Sequence, residues 1–199
     1  GFILKVDVAK YNPAMREELM QQVQMQMSEK RFVHVLGVEE MAVALAKKYG
    51  ADPNKASIAA LCHDYAKERS DDDFIFEIER KQLSPALLKW NNAIWHGVVG
   101  AEFVRDELGV EDEEILQAIR VHTTGSREMS LLDKVIFVAD YVEKNRQFPG
   151  VEEARELAIS DLDAAVRYEL THTLQFLISK GQAIHPKTIE TYNYYVDKH

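Results

Sequence analysis

The sequence predicts an all-α fold. Apolar residues recur at three- and four-residue spacing through most of the chain, and alternating strand patterns are missing. Only 9 Gly and 5 Pro interrupt 199 residues, well short of the roughly 12% usual in globular chains. A loop-rich β fold or a disordered chain does not fit.

The elements follow in order. Met15, Leu19, Val23 and Met27 line one face of a first helix over 14–27. Ser28 opens a second, whose apolar face of Val35, Val38, Met41, Ala42, Leu45 and Tyr49 runs to a stop at Gly50. Asp52-Pro53 supplies an N-cap and first helical residue for a helix through Ile58 and Leu61 to about Lys67. Further starts lie at Ser70, with three aspartates behind it, and at Ser84-Pro85. One helix spans 95–108 and stops at Gly109; another spans 111–122. Thr123-Thr124-Gly125-Ser126 reads as a loop. Ser130, three before Asp133, starts a helix to about Lys144. A break over 145–150 precedes helices over 151–160 and 161–180, a stop at Gly181, and a last segment opening at His185-Pro186. Eight to eleven helices with short connections make one domain over 15–199. Residues 1–14 read as an arm or an appended remnant.

Charge and cysteine content narrow the function. Against 33 acidic side chains stand 24 Lys and Arg, a net charge of −9 with a pI near 5.3. Such a body suits neither DNA nor RNA, although one cationic pocket is compatible with a small polyphosphate. Cys62 is the only cysteine, which excludes an intrachain disulfide and a C-x-x-C zinc site and fits a reducing, cytoplasmic setting. No apolar run approaches the ~18 residues of a spanning helix, and the longest, 135–139, ends at Asp140. Phe2, Ile3 and Leu4 are followed at once by Lys5 and Asp7, unlike a signal peptide. The expectation is a soluble protein with no nucleic-acid or membrane partner; a homodimer is left open.

Two aspartates sit where a core helix would not want them. Asp64 follows the run 58–62 and is preceded by His63, and Asp140 interrupts Val135-Ile136-Phe137-Val138-Ala139 and Tyr141-Val142. A buried carboxylate costs several kcal/mol unless a cation meets it, and no Lys or Arg lies one turn before either. The partner must come from elsewhere in the fold or be a metal. His34, His63-Asp64, His96, His122 and Asp140 each fall on or at the end of a different helix, so a bundle can converge them. Imidazole with carboxylate suits iron, manganese, cobalt or zinc better than magnesium. His96 and His122 fit either a metal or a phosphate. Arg31, one turn before His34, could fork onto a phosphate; Lys67 lies three beyond Asp64, and Arg146 sits in the break after Asp140. His172 and His199 have no partner implied by spacing, and the tyrosines at 192, 194 and 195 read as packing.

The spacing H…HD…D resembles that of the HD-domain metal-dependent phosphohydrolases. Several stretches resemble one branch, the symmetrical bis(5′-nucleosyl)-tetraphosphatases. They are Lys30-Arg31-Phe32-Val33-His34-Val35-Leu36-Gly37-Val38, Ala60-Leu61-Cys62-His63-Asp64-Tyr65-Ala66-Lys67, Ile94-Trp95-His96-Gly97 and His122-Thr123-Thr124-Gly125, followed by Ala139-Asp140-Tyr141-Val142-Glu143, Asn145-Arg146-Gln147-Phe148-Pro149-Gly150-Val151 and Ile184-His185-Pro186-Lys187-Thr188. The resemblance runs from about Met15 to Asn193.

It implies an all-helical HD domain and an iron centre held by His34, His63, Asp64 and Asp140. It also implies metal-assisted cleavage of diadenosine tetraphosphate at its middle into two ADP, with Asp64, His96 and His122 as catalytic candidates. Implied substrate contacts are Arg31, Lys67, His96, His122, Thr123, Asp140 and Arg146, with Ala183, Ile184, His185, Pro186, Lys187 and Thr188 along the nucleotide. The competing readings are an HD-type mononucleotide phosphohydrolase, such as a 5′-nucleotidase or nucleoside triphosphate hydrolase, and a non-catalytic nucleotide sensor. An intact ligand set argues against the sensor, because binding alone needs no water-activating metal.

Overall fold

The structure, a computed structural model, describes residues 4–197; Phe2, Ile3 and His199 lie outside them. Among the described residues there are eleven α-helices and two short 3-10 helices, and no strand. Most starts are made by one side chain. Asn12 caps α1 (Pro13–Gln24), Ser28 caps α2 (Glu29–Tyr49), Asp52 caps α3 (Pro53–Cys62) and Ser70 caps α4 (Asp71–Arg80). Each accepts a backbone N–H of the first turn. A 3-10 helix over Pro85–Lys89 leads to α5 (Asn92–Val98), α6 (Gly100–Leu108) and α7 (Glu113–Val121). Ser130 and Asp133 form a reciprocal capping box at α8 (Leu131–Val142). Then come α9 (Val151–Ser160), α10 (Leu162–Ser179) and α11 (Pro186–Asp197).

Three sequence expectations are corrected. The helix from Pro53 ends at Cys62 rather than near Lys67. His63 donates its Nδ1–H to the Ala60 carbonyl at 2.6 Å, and the chain runs on in three-residue turns, Tyr65 N–H to Cys62 O and Lys67 N–H to Asp64 O. Lys67 therefore stands in a turn, not on a helix shared with Asp64. The single helix expected over 95–108 is two, α5 and α6, jointed at Val99, where Gly97 and Gly100 weaken the helix on both sides. The start at Ser84-Pro85 yields only the 3-10 turn, since the Ser84 side chain makes no cap bond.

The core lies where α2 packs on α3 and α8, and α7 packs on α3, α6 and α8. Val35, Val38 and Ala42 of α2, Ile58 and Leu61 of α3, Ile115 and Ile119 of α7, and Ile136 and Ala139 of α8 are wholly buried in one cluster. The polar residues singled out above stand close beside these, His34 next to Val35 and Asp140 next to Ala139. Buried Glu39 ties α1 to α2 and α3, taking two bonds from Arg16 (2.7 and 2.6 Å) and one from Ser57 (2.6 Å). The stretch before α1 also lies on the body: Leu4 and Val6 are buried, and the Val6 N–H donates to Leu108 O. No helix among the described residues is long and apolar enough to cross a membrane.

Gly97 lets α5 approach α7. A Cβ there would lie 3.1 Å from the carbonyl oxygens of both Ile119 and Arg120. An unencumbered helical glycine gains about 0.5–1 kcal/mol on replacement by alanine, whereas overpacking costs about 1–3 kcal/mol. The contacts decide for the second. Gly97→Ala is expected to lower the urea midpoint at unchanged slope; a raised midpoint contradicts this packing.

Candidate functional site

Five helices deliver six side chains to one end of the core. His34 stands on α2, His63 and Asp64 just past α3, His96 on α5, His122 at the end of α7, and Asp140 on α8. Nε2 of His34 lies 2.9 Å from Asp140 Oδ1, and Nε2 of His63 lies 3.2 Å from the same oxygen. Asp64 faces two ways. Its Oδ2 lies 3.7 Å from His34 Nε2 and 3.5 Å from His63 Nε2, while its Oδ1 lies 3.6 Å from His96 Nε2 and 3.5 Å from His122 Nε2. Two donor sets result, His34–His63–Asp64–Asp140 and Asp64–His96–His122, each with its ligand atoms within 4.8 Å of one another. Sequence spacing alone gives no hint that Asp64 is shared.

The other ring nitrogens explain how these sets are aimed. Nδ1 of His63, His96 and His122 lies 2.6–2.7 Å from the carbonyls of Ala60, Asn92 and Ile119, each in its own helix. Nδ1 of His34 lies 2.7 Å from Glu143 Oε2. All four are therefore Nδ1–H donors, and in its neutral form each ring presents its Nε2 lone pair to a carboxylate. Lone pairs facing lone pairs repel unless a cation lies between them. Buried His122 Nε2 has no hydrogen-bond partner at all. The chemistry of the donor set thus fits a divalent metal.

The HD domain model matches residues 31–145. The symmetrical bis(5′-nucleosyl)-tetraphosphatase of Halalkalibacterium halodurans is 48% identical over 178 residues, 89% of this chain and 95% of that protein. Its namesake in Bacillus subtilis is 48% identical over 181 residues, 91% and 97% of the two chains. The chain belongs to this HD-domain family. A crystal structure of an HD superfamily hydrolase from Clostridium acetobutylicum, described as involved in NAD metabolism, matches with a TM-score of 0.87 at 37% identity. It covers 92% of this chain and 97% of its own.

Around this HD centre the basic residues fall unequally. Arg31 reaches Asp64 Oδ2 at 2.9 Å and Glu68 at 3.3 Å. Arg146 donates from Nε to the Asp140 carbonyl at 3.0 Å, and its Nη2 lies 3.5 Å from Asp140 Oδ1. Lys67 is half-buried in the turn after Asp64. Thr123, next to His122, has a buried Oγ1 without a partner. The 183–188 stretch stands apart from the donors. Ala183, Pro186 and Lys187 are exposed, Thr188 is buried, and Pro186 begins α11. His185 lies with its ring centroid 4.8 Å from that of Trp90, and with Lys187 it lines a cavity of about 430 Å³ walled by Leu87, Val98 and Thr124. None of the six converging residues lines that cavity.

Sequence reasoning missed three neighbours. Glu143 is one. Arg155 clamps the loop carrying Arg146, donating to the carbonyls of Val142, Glu143 and Arg146 at 2.8–2.9 Å. Buried Glu169 has an unpartnered Oε1, and burial, with Asp140 nearby, pushes its carboxyl well above the usual range. His172, set aside for lack of a partner, stacks on Tyr168 with centroids 3.8 Å apart.

Protonation without metal is divided across the site. Burial opposes a charge on His63, but Asp64 and Asp140 outweigh it and raise the ring to about 9. Burial and neighbouring His122 lower His96 to about 3. Burial likewise opposes charge on Asp64 and Asp140, yet the imidazoles hold both well below the usual range. An imidazole raised above its ordinary 6.5 stabilises below that pH and loses the contribution as pH rises through 9. One lowered below 6.5 stabilises above that pH and loses the contribution as pH falls toward 3. The melting temperature of metal-free protein should therefore fall from pH 6.5 to 9, and His63→Ala should flatten that limb. An equally steep limb in the variant contradicts the assignment.

Proposed function

We propose that the chain hydrolyses diadenosine tetraphosphate and related dinucleoside polyphosphates symmetrically, releasing two ADP. The observation that carries this reading is the pair of donor sets joined at Asp64, four Nε2 atoms and two carboxylates in all, in a chain 48% identical to symmetrical tetraphosphatases. His34, His63, Asp64 and Asp140 are the ligands, and iron is the proposed metal, with manganese, cobalt and zinc as alternatives. A bound cation of this kind lowers the pKa of water and offsets charge on a phosphoryl group.

The chain's own residues supply the rest. Asp64, His96 and His122 form the second wall, where the uncommitted Nε2 of His122 faces a second cation or the phosphoryl oxygens of the scissile bond. The Thr123 hydroxyl has a donor free for a phosphate oxygen. Arg31, Lys67 and Arg146 bracket Asp64 and Asp140, and as cations they hold the polyphosphate against the net negative body. Arg31 pairs with Asp64 in the structure; with Asp64 serving a metal, the Arg31 guanidinium would be free to hold phosphate. The cavity that Trp90, His185 and Lys187 help to line suits a nucleoside, and residues 183–188 offer backbone groups to its base.

Metal-loaded protein incubated with diadenosine tetraphosphate should give two ADP by chromatography. AMP plus ATP contradicts symmetrical cleavage, and binding without turnover favours a sensor. Arg146 bonds Asp140 mainly through the backbone carbonyl, so Arg146→Ala should keep its metal. It should lose roughly 1.5–3 kcal/mol of charge-assisted contact, ten- to more than a hundredfold in kcat/KM. Arg146→Lys should recover only part, because a point charge does not replace a planar fork. A wild-type rate in Arg146→Ala removes this loop from the substrate site.

A further inference from the structure

Among the four converging histidines, His34 is anchored differently. The other three fix Nδ1 on a carbonyl of their own helix, whereas His34 reaches across to a side chain, the Glu143 carboxylate, at 2.7 Å. Glu143 is the residue after α8, three beyond Asp140, and is 1% exposed. Both of its oxygens are engaged: Oε2 faces His34 Nδ1, and Oε1 accepts the Asn145 N–H at 2.6 Å. The carboxylate is held in one pose.

That pose needs room, and Gly37 provides it. Gly37 lies three residues after His34, on the same face of α2. A Cβ built there would come within 2.2 Å of Glu143 Oε1, 2.9 Å of its Cδ and 2.9 Å of Asn145 Nδ2. Glycine lowers helix propensity, yet one stands near the middle of the 21-residue α2, where the sequence offers no turn to explain it.

We infer that Glu143 is a positioning residue for His34, and that Gly37 is the space in which it works. The inference rests on the reading of His34 as a metal ligand. The carboxylate fixes His34 as the Nδ1–H tautomer, turns Nε2 toward Asp64 and Asp140, and makes the ring a stronger donor. Losing such an outer partner lowers metal affinity about 10- to 100-fold.

The test is equilibrium Co²⁺ binding to the metal-free full chain, measured by competition against a chromogenic chelator, with the melting temperature of the metal-free form as a folding control. Glu143→Ala should weaken binding 10- to 100-fold, and Glu143→Gln, which keeps an acceptor, should recover part of the loss. Gly37→Ala would first meet Glu143 Oε1 and Asn145 Nδ2 rather than a ligand atom, and should weaken binding by displacing Glu143. The coupling is what a merely structural role would not produce: once Glu143 is alanine, Gly37→Ala should cause no further loss. Wild-type affinity in Gly37→Ala and Glu143→Ala, or simple additivity in the double variant, overturns the inference while leaving the metal centre standing. A wild-type chain that binds no Co²⁺ instead removes the metal centre and the inference together.

Discussion

Repulsion among lone pairs at one point governs the rest of the structure. Two carboxylates and four imidazole Nε2 atoms face one another at 2.9–3.7 Å, with the Nδ1 protons committed elsewhere. Arg31 and Arg146 touch the two carboxylates from the outside, but neither is among the ligand groups. Only protons or a multiply charged cation can make the interior of the cluster favourable. A polyphosphate substrate poses the mirror-image problem, a dense negative charge that water must attack. One cation answers both.

The scaffold holds this unfavourable arrangement by separating the packing from the chemistry. Fully buried aliphatic residues of α2, α3, α7 and α8 fix the helices, and the donors sit at the margins of that core. The tie between ring and backbone recurs at the ends of α3 and α7, where His63 and His122 each bond the carbonyl three residues back. That tie ends the helix and aims the ring at once. Gly97 brings α5 close enough for His96 to join Asp64 from the far side.

Much of this was legible in the sequence because its causes are local. Ser28, Asp52, Ser70 and Ser130 cap helices with their own side chains, and Gly50 and Gly109 stop two in the left-handed region. Asp64 and Asp140 announced themselves as charges inside apolar runs. The end of α3 did not, because a histidine bonding its own helix leaves no compositional signal. Glu143 was hidden for the opposite reason: a glutamate beside Lys144 at a helix end looks like surface charge, and only the tertiary approach of α2 buries it. Arg155 and Glu169 are concealed in the same way. The nucleotide contacts proposed for residues 183–188 rest on family resemblance; in the structure His185 and Lys187 share a cavity with Trp90.

The central claim, that the converging donors require a metal, is tested most directly by melting. Protein stripped by exhaustive chelation, with removal verified by elemental analysis, is compared with the same protein after divalent metal is restored. At metal concentrations near a hundred times Kd, binding to the folded chain alone should raise the melting temperature by roughly 5–10 °C. Identical melting of stripped and restored protein would show that protons, not a metal, satisfy the cluster.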